Sequence, residues 1–144
     1  MKIVQIVPNW NKFLPNTAVG IRGVVRDLCL GLQDKGHEVR LIAPLGSQFP
    51  DINIDQTPVV DTASLGLSSK DNESISYRRT HALEAIKLIG NAEFVHSHLE
   101  HILLPFADKI KLPLLHTLHS IDYEPGDFEI FRKFPAGRFV ALSK

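Results

Sequence analysis

The sequence has 144 residues, 44% of them hydrophobic, so it can fill one core but leaves no room for a second full domain. Lys and Arg together number 16, as do Asp and Glu, and this balance excludes the positive field that would attract nucleic acid. A small-molecule or protein partner is therefore expected.

The cysteine content and the N-terminus indicate a compartment. Cys29, the single cysteine, falls in an apolar helical pattern and is interpreted as a small buried hydrophobic side chain. The apolar run at 3–7 is too short for a signal peptide or a membrane span. The sequence predicts a soluble cytoplasmic protein, with a peripheral position at the inner face of the membrane left open.

Strands and helices alternate from the start of the chain. A nearly continuous apolar run predicts a buried first strand at 3–7. From Ile21 apolar residues recur at helical spacing, and Gly36 follows as a C-terminal cap. A second strand at 38–43 completes a βαβ unit, whose crossover is expected to be right-handed.

The next segment is less regular. Residues 44–72 contain several Pro, Ser and Asp and are predicted to be mostly loop, with one short strand candidate at Val59 and Val60. A helix is predicted after Ser74, because apolar residues again share one face before a stop signal at Gly90.

The rest of the chain repeats the alternation. The predicted elements are strands at 94–97, 114–118 and 138–142, and helices at 99–110 and 128–134. Pro105 implies that the first of these helices starts late or is kinked. The pattern specifies an α/β fold with a doubly wound, mainly parallel, Rossmann-like sheet. One domain, 1–144, is expected, cut at its C-terminal boundary because the last strand almost reaches Lys144.

The loop at 8–20 follows the first strand, at the sheet edge where ligands of such folds bind. It leads into a helix N-terminus that suits an anion such as a pyrophosphate. The segment from Gly20 to Gly23 does not match G-x-G-x-x-G, so a dehydrogenase-type dinucleotide site is poorly supported. The alternative that these glycines only let the helix start and pack closely stays open.

Histidines gather after two of the predicted strands. Five of the seven lie there, at positions 96, 98, 101, 116 and 119. His96 and His98 are alternate residues of a strand and are expected to face the same way. His81, on the second predicted helix, is interpreted as a surface or half-buried residue without chemistry.

A metal site is a rival interpretation of one histidine cluster. The segment HSHLEH at 96–101 resembles the HxHxDH ligands of metallo-β-lactamase-fold hydrolases, with Glu100 in place of Asp. An apolar helix start follows it instead of glycines, the fold pattern is βα alternation, and no further ligands follow at suitable spacing. The sequence therefore predicts neither a metal nor a cofactor.

Taken in order, the segments of this sequence resemble the N-terminal domain of family 4 retaining glycosyltransferases of the GT-B fold. The likeness covers essentially the whole chain. The matching segments are MKIVQIVP at 1–8, the helix at 20–32, KGHEVRLIAP at 35–44, FVHSHLEH at 94–101, PLLHTLHSIDYEP at 113–125 and GRFVALSK at 137–144.

The resemblance implies a role for particular residues at a cleft between two domains. It implies that His119 is the catalytic-site histidine, which meets the transferring sugar near the donor phosphate. Substrate-binding positions are implied at Gly20, whose backbone approaches the diphosphate, and at His98, Ser120 and Asp122.

The sequence also departs from the family pattern in the first loop. The family's glycine pair is Val19-Gly20 here, and the Glu-Arg that often follows is Arg22-Gly23. A valine limits the approach of backbone amides to a phosphate. Arg22 is therefore predicted to supply positive charge to the diphosphate instead.

The resemblance implies transfer of a sugar, with retention, from a nucleotide-sugar donor to a carbohydrate, lipid-linked or small-molecule acceptor. The donor site would belong to a missing C-terminal GT-B domain, so the chain alone is expected to be inactive. A non-catalytic binding module from a split glycosyltransferase and a metal-dependent hydrolase are the alternatives. Self-association is expected through an open cleft face with apolar loop side chains, namely Trp10, Phe13, Leu14, Ile121 and Tyr123.

Overall fold

The computed structural model describes residues 1–17, 19–120, 123–134 and 138–141. Within these ranges, six strands form one parallel sheet in the spatial order β3-β2-β1-β4-β5-β6. The strands in chain order are β1 (Lys2–Ile6), β2 (Glu38–Ala43), β3 (Asn53–Gln56), β4 (Phe94–Ser97), β5 (Leu114–Leu118) and β6 (Arg138–Ala141). This is the order of a doubly wound Rossmann-like sheet, so the predicted fold class is confirmed.

Helices cover both faces of the sheet. The longer ones are α1 (Ile21–Asp34), α2 (Asn72–Lys87), α3 (Pro125–Lys133) and a 3₁₀ segment (Glu100–Lys109), and short 3₁₀ turns lie at Pro15–Thr17 and Ala63–Leu65. The core on one face joins Val25 and Cys29 of α1 to β2 and the end of β1, and the core on the other face includes Ala82 and Ala85 of α2. Because both faces are covered, β1 and β2 are nearly continuous apolar runs.

Two local predictions along α1 are confirmed. Cys29 is fully buried, and burial raises the pKa of its thiol to about 12, so it is an inert part of the core. Gly36 has a φ of 80°, and the N–H of His37 reaches back to the carbonyl of Leu32 at 3.1 Å. This left-handed turn ends the helix, and it favours glycine because other residues are strained there.

The strand predicted at Val59 and Val60 is wrong. The third strand is instead Asn53–Gln56, which pairs with β2 at the edge of the sheet. An edge strand faces solvent along one side, so it carries polar residues and lacks the apolar signal that marks the central strands. Val59 is buried in a loop, where its carbonyl accepts a hydrogen bond from the amide of Leu45 at 2.9 Å.

The helix predicted after Leu99 forms, but as a 3₁₀ segment with Pro105 inside it. Proline has no N–H, and in an α-helix its ring would collide with the carbonyl four residues earlier. Tighter 3₁₀ turns remove that collision, although ten residues is long for this geometry. Burial of Ile102 and Leu103 in the core stabilises the segment.

His81 is fully buried, so its interpretation as a surface or half-buried residue is wrong. Its Nε2 lies 2.8 Å from the carbonyl oxygen of Val7, and its Nδ1 lies 2.8 Å from Oγ1 of Thr57. The carbonyl can only accept, so Nε2 carries the proton and Nδ1 accepts the threonine hydroxyl. Position 81 lies one turn before buried Ala85, and this spacing was the available signal for burial.

The order of the strands in the sheet reverses between the neighbouring strands β1 and β4. From β1 the chain proceeds outwards to β2 and β3, whereas from β4 it proceeds to β5 and β6 on the other side. The loops after β1 and β4 therefore diverge and leave a crevice at the carboxyl edge, which is where open α/β sheets bind ligands. Separately, none of the described helices is both long and apolar enough to cross a lipid bilayer.

Candidate functional site

A chain of polar side chains crosses the carboxyl edge of the central strands. Gln5 of β1 is in register with His96 of β4, and both lie on the face that carries Thr117 of β5. His98 follows β4 directly and His119 follows β5. The parallel register thus brings together residues that are far apart in sequence.

The contacts within this chain are short. His96 Nε2 lies 2.7 Å from Oγ1 of Thr117, and the rings of His96 and His98 lie 4.2 Å apart. His98 Nδ1 lies 2.8 Å from Nε2 of His119, and His98 Nε2 lies 2.9 Å from Oε1 of Gln5. The expectation that His96 and His98 face the same way is confirmed, and His98 and His119 are hydrogen-bonded to each other.

The partners of His98 decide where the protons lie. Oε1 of Gln5 can only accept, so His98 Nε2 donates to it. His98 Nδ1 is then an acceptor in the neutral ring, and His119 Nε2 donates to it. His119 retains Nδ1 as its remaining polar ring atom.

Burial keeps this cluster uncharged. It lowers the pKa of His98 well below its usual value, and the nearby His96 and His119 lower that pKa further. The pKa of His96 falls to about 4, and that of His119 is also lowered, chiefly by burial in both cases. At neutral pH these rings therefore offer hydrogen bonds and no positive charge.

Gln5 is a site residue that the sequence interpretation missed. It is fully buried and holds the far side of the His98 ring. A polar side chain inside an otherwise apolar strand was the available signal, because a buried amide needs a hydrogen-bond partner.

Glu100 anchors the loop that carries His119. Its carboxylate accepts the amides of His119 and Ser120 at 2.8 and 3.2 Å and the hydroxyl of Tyr123. The side chain is only 3% exposed, and its backbone has a φ of 54°, which is strained for a residue other than glycine. Sequence reasoning treated Glu100 only as a stand-in for a metal ligand.

The geometry does not fit a metal site in the 96–101 segment. His101 is paired with α3, where its Nε2 lies 3.1 Å from a carboxylate oxygen of Asp127. Glu100 is occupied by the amides and the hydroxyl described above. In the parts of the chain that the structure covers, no three His, Cys, Asp or Glu side chains are placed to hold a metal ion.

Gly20 is the N-cap residue directly before α1, beside the crevice. Its φ is 56°, a left-handed value that favours glycine, while a Cβ there would meet no atom within 4 Å. The requirement is therefore conformational, and Gly23 is buried in the first turn of the helix. Both observations support the alternative in which the glycines start and pack the helix, and they leave the helix N-terminus open to an anion.

The other predicted binding residues are positioned as follows. Arg22 donates through Nη1 to the carbonyl of Lys12 at 3.2 Å, and it lines a groove of about 150 Å³ with Trp10 and Val19. Ser120 is half-buried and held by Glu100 through its amide. Asp122 lies outside the described residues.

Residues 19–144 match the model of Glycosyltransferase Family 4. The chain belongs to this family. Its fold is also similar to the crystal structure of MurG from Acinetobacter baumannii, with a TM-score of 0.53 and 14% sequence identity over 97% of this chain and 45% of MurG.

The chain thus spans less than half of the length of MurG, and the likeness concerns the fold. No curated protein matches the sequence. The predicted resemblance to a family 4 N-terminal domain is confirmed.

The apolar loops of this family 4 domain are more covered than predicted. Phe13 is fully buried and packs against Phe49 with ring centroids 5.7 Å apart, so its predicted exposure is wrong. Trp10, Leu14 and Tyr123 are half-buried, and Ile121 lies outside the described residues. Phe13 therefore belongs to the core and not to an open face, while self-association stays a prediction.

Proposed function

We propose that this family 4 domain is the acceptor-binding half of a retaining glycosyltransferase that works with a C-terminal, donor-binding domain. The proposal rests on the hydrogen-bonded pair of His98 and His119. This pair lies at the crevice where α1 begins. The pair is held from both sides, by Gln5 and by Glu100.

In the proposed reaction, the bond between the sugar and the nucleotide diphosphate breaks and a bond to the acceptor hydroxyl oxygen forms on the same face. The electron pair of the broken bond and the hydroxyl proton go to the leaving diphosphate. Negative charge grows on the leaving diphosphate and has to be stabilised. In this chain the N-terminus of α1 and Arg22 are suited to that task. The neutral ring of His119 is suited to a hydrogen bond with a sugar hydroxyl.

The first test concerns the division of labour between the two domains. The 144-residue chain should show no transferase turnover and no micromolar affinity for UDP- or GDP-sugars, because the nucleotide pocket is assigned to the other domain. Calorimetry with a panel of these sugars measures this. Micromolar binding by the chain alone would contradict the proposed division.

The second test concerns His119 in a protein that joins this domain to a family 4 C-terminal domain. His119→Ala should lower kcat/KM by about tenfold to a hundredfold, since a hydrogen bond to the reacting sugar is lost. The control is His37→Asn, which changes a residue that precedes β2 at the opposite edge of the sheet.

If His119→Ala were as active as the unmodified protein, His119 would have no part in the reaction. A two-domain protein that binds acceptor and donor without turnover would instead identify a non-catalytic binding module.

A further inference from the structure

A second cleft lies beside the histidine pair. It has a volume of about 630 Å³ and is bounded by α2, by the start of the 3₁₀ segment and by the first turn of α3. Its lining includes Trp10, Lys70, Arg78, Glu100, Tyr123 and Asp127. A further hollow of about 510 Å³ shares Arg78 and Asp127 with it and adds Arg79. The size is that of a small-molecule site.

The acidic side chains of this cleft are already engaged by the protein. Glu100 holds the loop after β5, as described above. Asp127 faces His101 and accepts the amide of Glu124 at 3.0 Å, while the Glu124 side chain caps the first turn of α3. These carboxylates therefore have hydrogen-bond partners within the protein, so no bound cation is needed to satisfy them.

The basic side chains of the cleft are not engaged in this way. The charged groups of Lys70, Arg78 and Arg79 make no hydrogen bond or ion pair within the described part of the chain. Arg78 is half-buried, and its guanidinium carbon lies 5.4 Å from the ring centroid of Trp10. Glu100 and Asp127 act on the Arg78 guanidinium electrostatically, but among the described residues neither accepts a hydrogen bond from it, so its N–H donors are open to a ligand.

Trp10 adds to the site in two ways. Its indole Nε1 is buried and has no hydrogen-bond partner among the described residues. Its ring also lines the cleft as an apolar surface beside the Arg78 guanidinium, which lies over the ring. A donor-rich wall next to an aromatic surface favours a ligand that combines anionic oxygens with a ring.

We propose that this cleft binds a phosphate monoester carried by the acceptor, with Arg78 as the main contact and Lys70 and Arg79 beside it. Phosphate is favoured because its two charges and three terminal oxygens match several cations and the guanidinium fork. The inference rests on the proposed function, since it names the chemical class of the acceptor. The phosphate belongs either to a soluble sugar phosphate or to a lipid-borne one.

Trp10 is the single tryptophan of the sequence, so its fluorescence reports on the cleft. The 144-residue chain is titrated with glucose 1-phosphate, glucose 6-phosphate, glucose and inorganic phosphate, and separately with phosphatidylcholine vesicles with and without phosphatidic acid. A sugar phosphate or the phosphatidic acid vesicles should change the emission with saturation, and added salt should weaken the effect. A response to only one of these two arms identifies the source of the phosphate.

Arg78→Gln should weaken that binding by about tenfold or more, because a charged bidentate contact is lost. The matched control is Lys87→Gln, which removes an exposed positive charge from the same helix. Circular dichroism establishes that both variants are folded.

The inference is overturned if neither phosphate arm gives saturable binding, if glucose or inorganic phosphate binds as tightly as the sugar phosphates, or if both variants weaken binding equally. Transfer by the two-domain protein to a neutral acceptor, unaffected by Arg78→Gln, would overturn it and leave the proposed function intact. Phosphate binding that depends on Arg78 in a two-domain protein without turnover would instead count against the proposed function alone.

Discussion

Glu100→Ala is expected to lower the free energy of unfolding by about 3 kcal/mol, because two backbone amides and a hydroxyl lose a charged acceptor in a place from which water is largely excluded. The loop after β5 should loosen together with His119. Amide hydrogen exchange at His119 and Ser120 should therefore accelerate by more than that of β1.

Two further variants make this prediction specific. Glu100→Gln keeps the shape and one acceptor oxygen but loses the charge, so it should cost about 1 kcal/mol. Glu129→Ala removes a carboxylate from an exposed ion pair with Arg132 and should cost less than about 0.5 kcal/mol. Urea unfolding of the three variants measures these differences. If Glu100→Ala were no more costly than Glu129→Ala, the carboxylate would not be the anchor of the loop.

Acidification is expected to unfold the domain between about pH 5.5 and 4.5, because buried neutral histidines become charged only on unfolding. Burial lowers the folded-state pKa of three of them to about 4, namely His81, His96 and His116. An unfolded histidine titrates near pH 6.5. Between these values the unfolded chain binds more protons than the folded chain, so stability is present above pH 6.5 and is lost as the pH falls towards 4.

The size of the loss in stability follows from the pKa shifts of these three histidines. Each of these histidines should remove about 2 kcal/mol of stability by pH 5, or about 6 kcal/mol for the three together. Urea unfolding at pH 7.5, 6 and 5 measures the loss. A free energy of unfolding that stays constant over this range would show that the rings are not buried as described.

A double variant isolates one histidine. His81→Leu with Thr57→Val removes the ring and its hydroxyl partner together, so that no buried threonine hydroxyl is left unpaired. The loss of stability between pH 7.5 and pH 5 should shrink by about 2 kcal/mol in this variant. Lys87→Gln, at an exposed position, should leave the pH dependence as it is in the unmodified protein.

The central strands and the long helices were predictable because their signals are local. β1 and β2 lie between helices and are buried on both faces, so each is a nearly continuous apolar run in the sequence. α1 and its left-handed cap at Gly36 follow from apolar spacing and a glycine stop. The family likewise followed from segments that are each contiguous in the chain, and the match over 19–144 confirms it.

Other features depended on which segments meet in three dimensions. The polar strand Asn53–Gln56 is a strand only because the free edge of β2 is available to pair with it. His81 is buried because the end of β1 and Thr57 present one acceptor and one donor to its ring. Neither condition is visible in the residues next to these positions.

The candidate site shows the same division. Its histidines could be named from the sequence, since they follow strands whose carboxyl ends share one edge. Their hydrogen-bond partners could not, because Gln5 and His98 are 93 residues apart and Glu100 and His119 are 19 apart. The sequence by itself determined the α/β fold, the family and which residue types stand at the strand ends. Only the tertiary structure decided which of them share protons, because hydrogen bonds act over about 3 Å and the sheet register sets which side chains come that close.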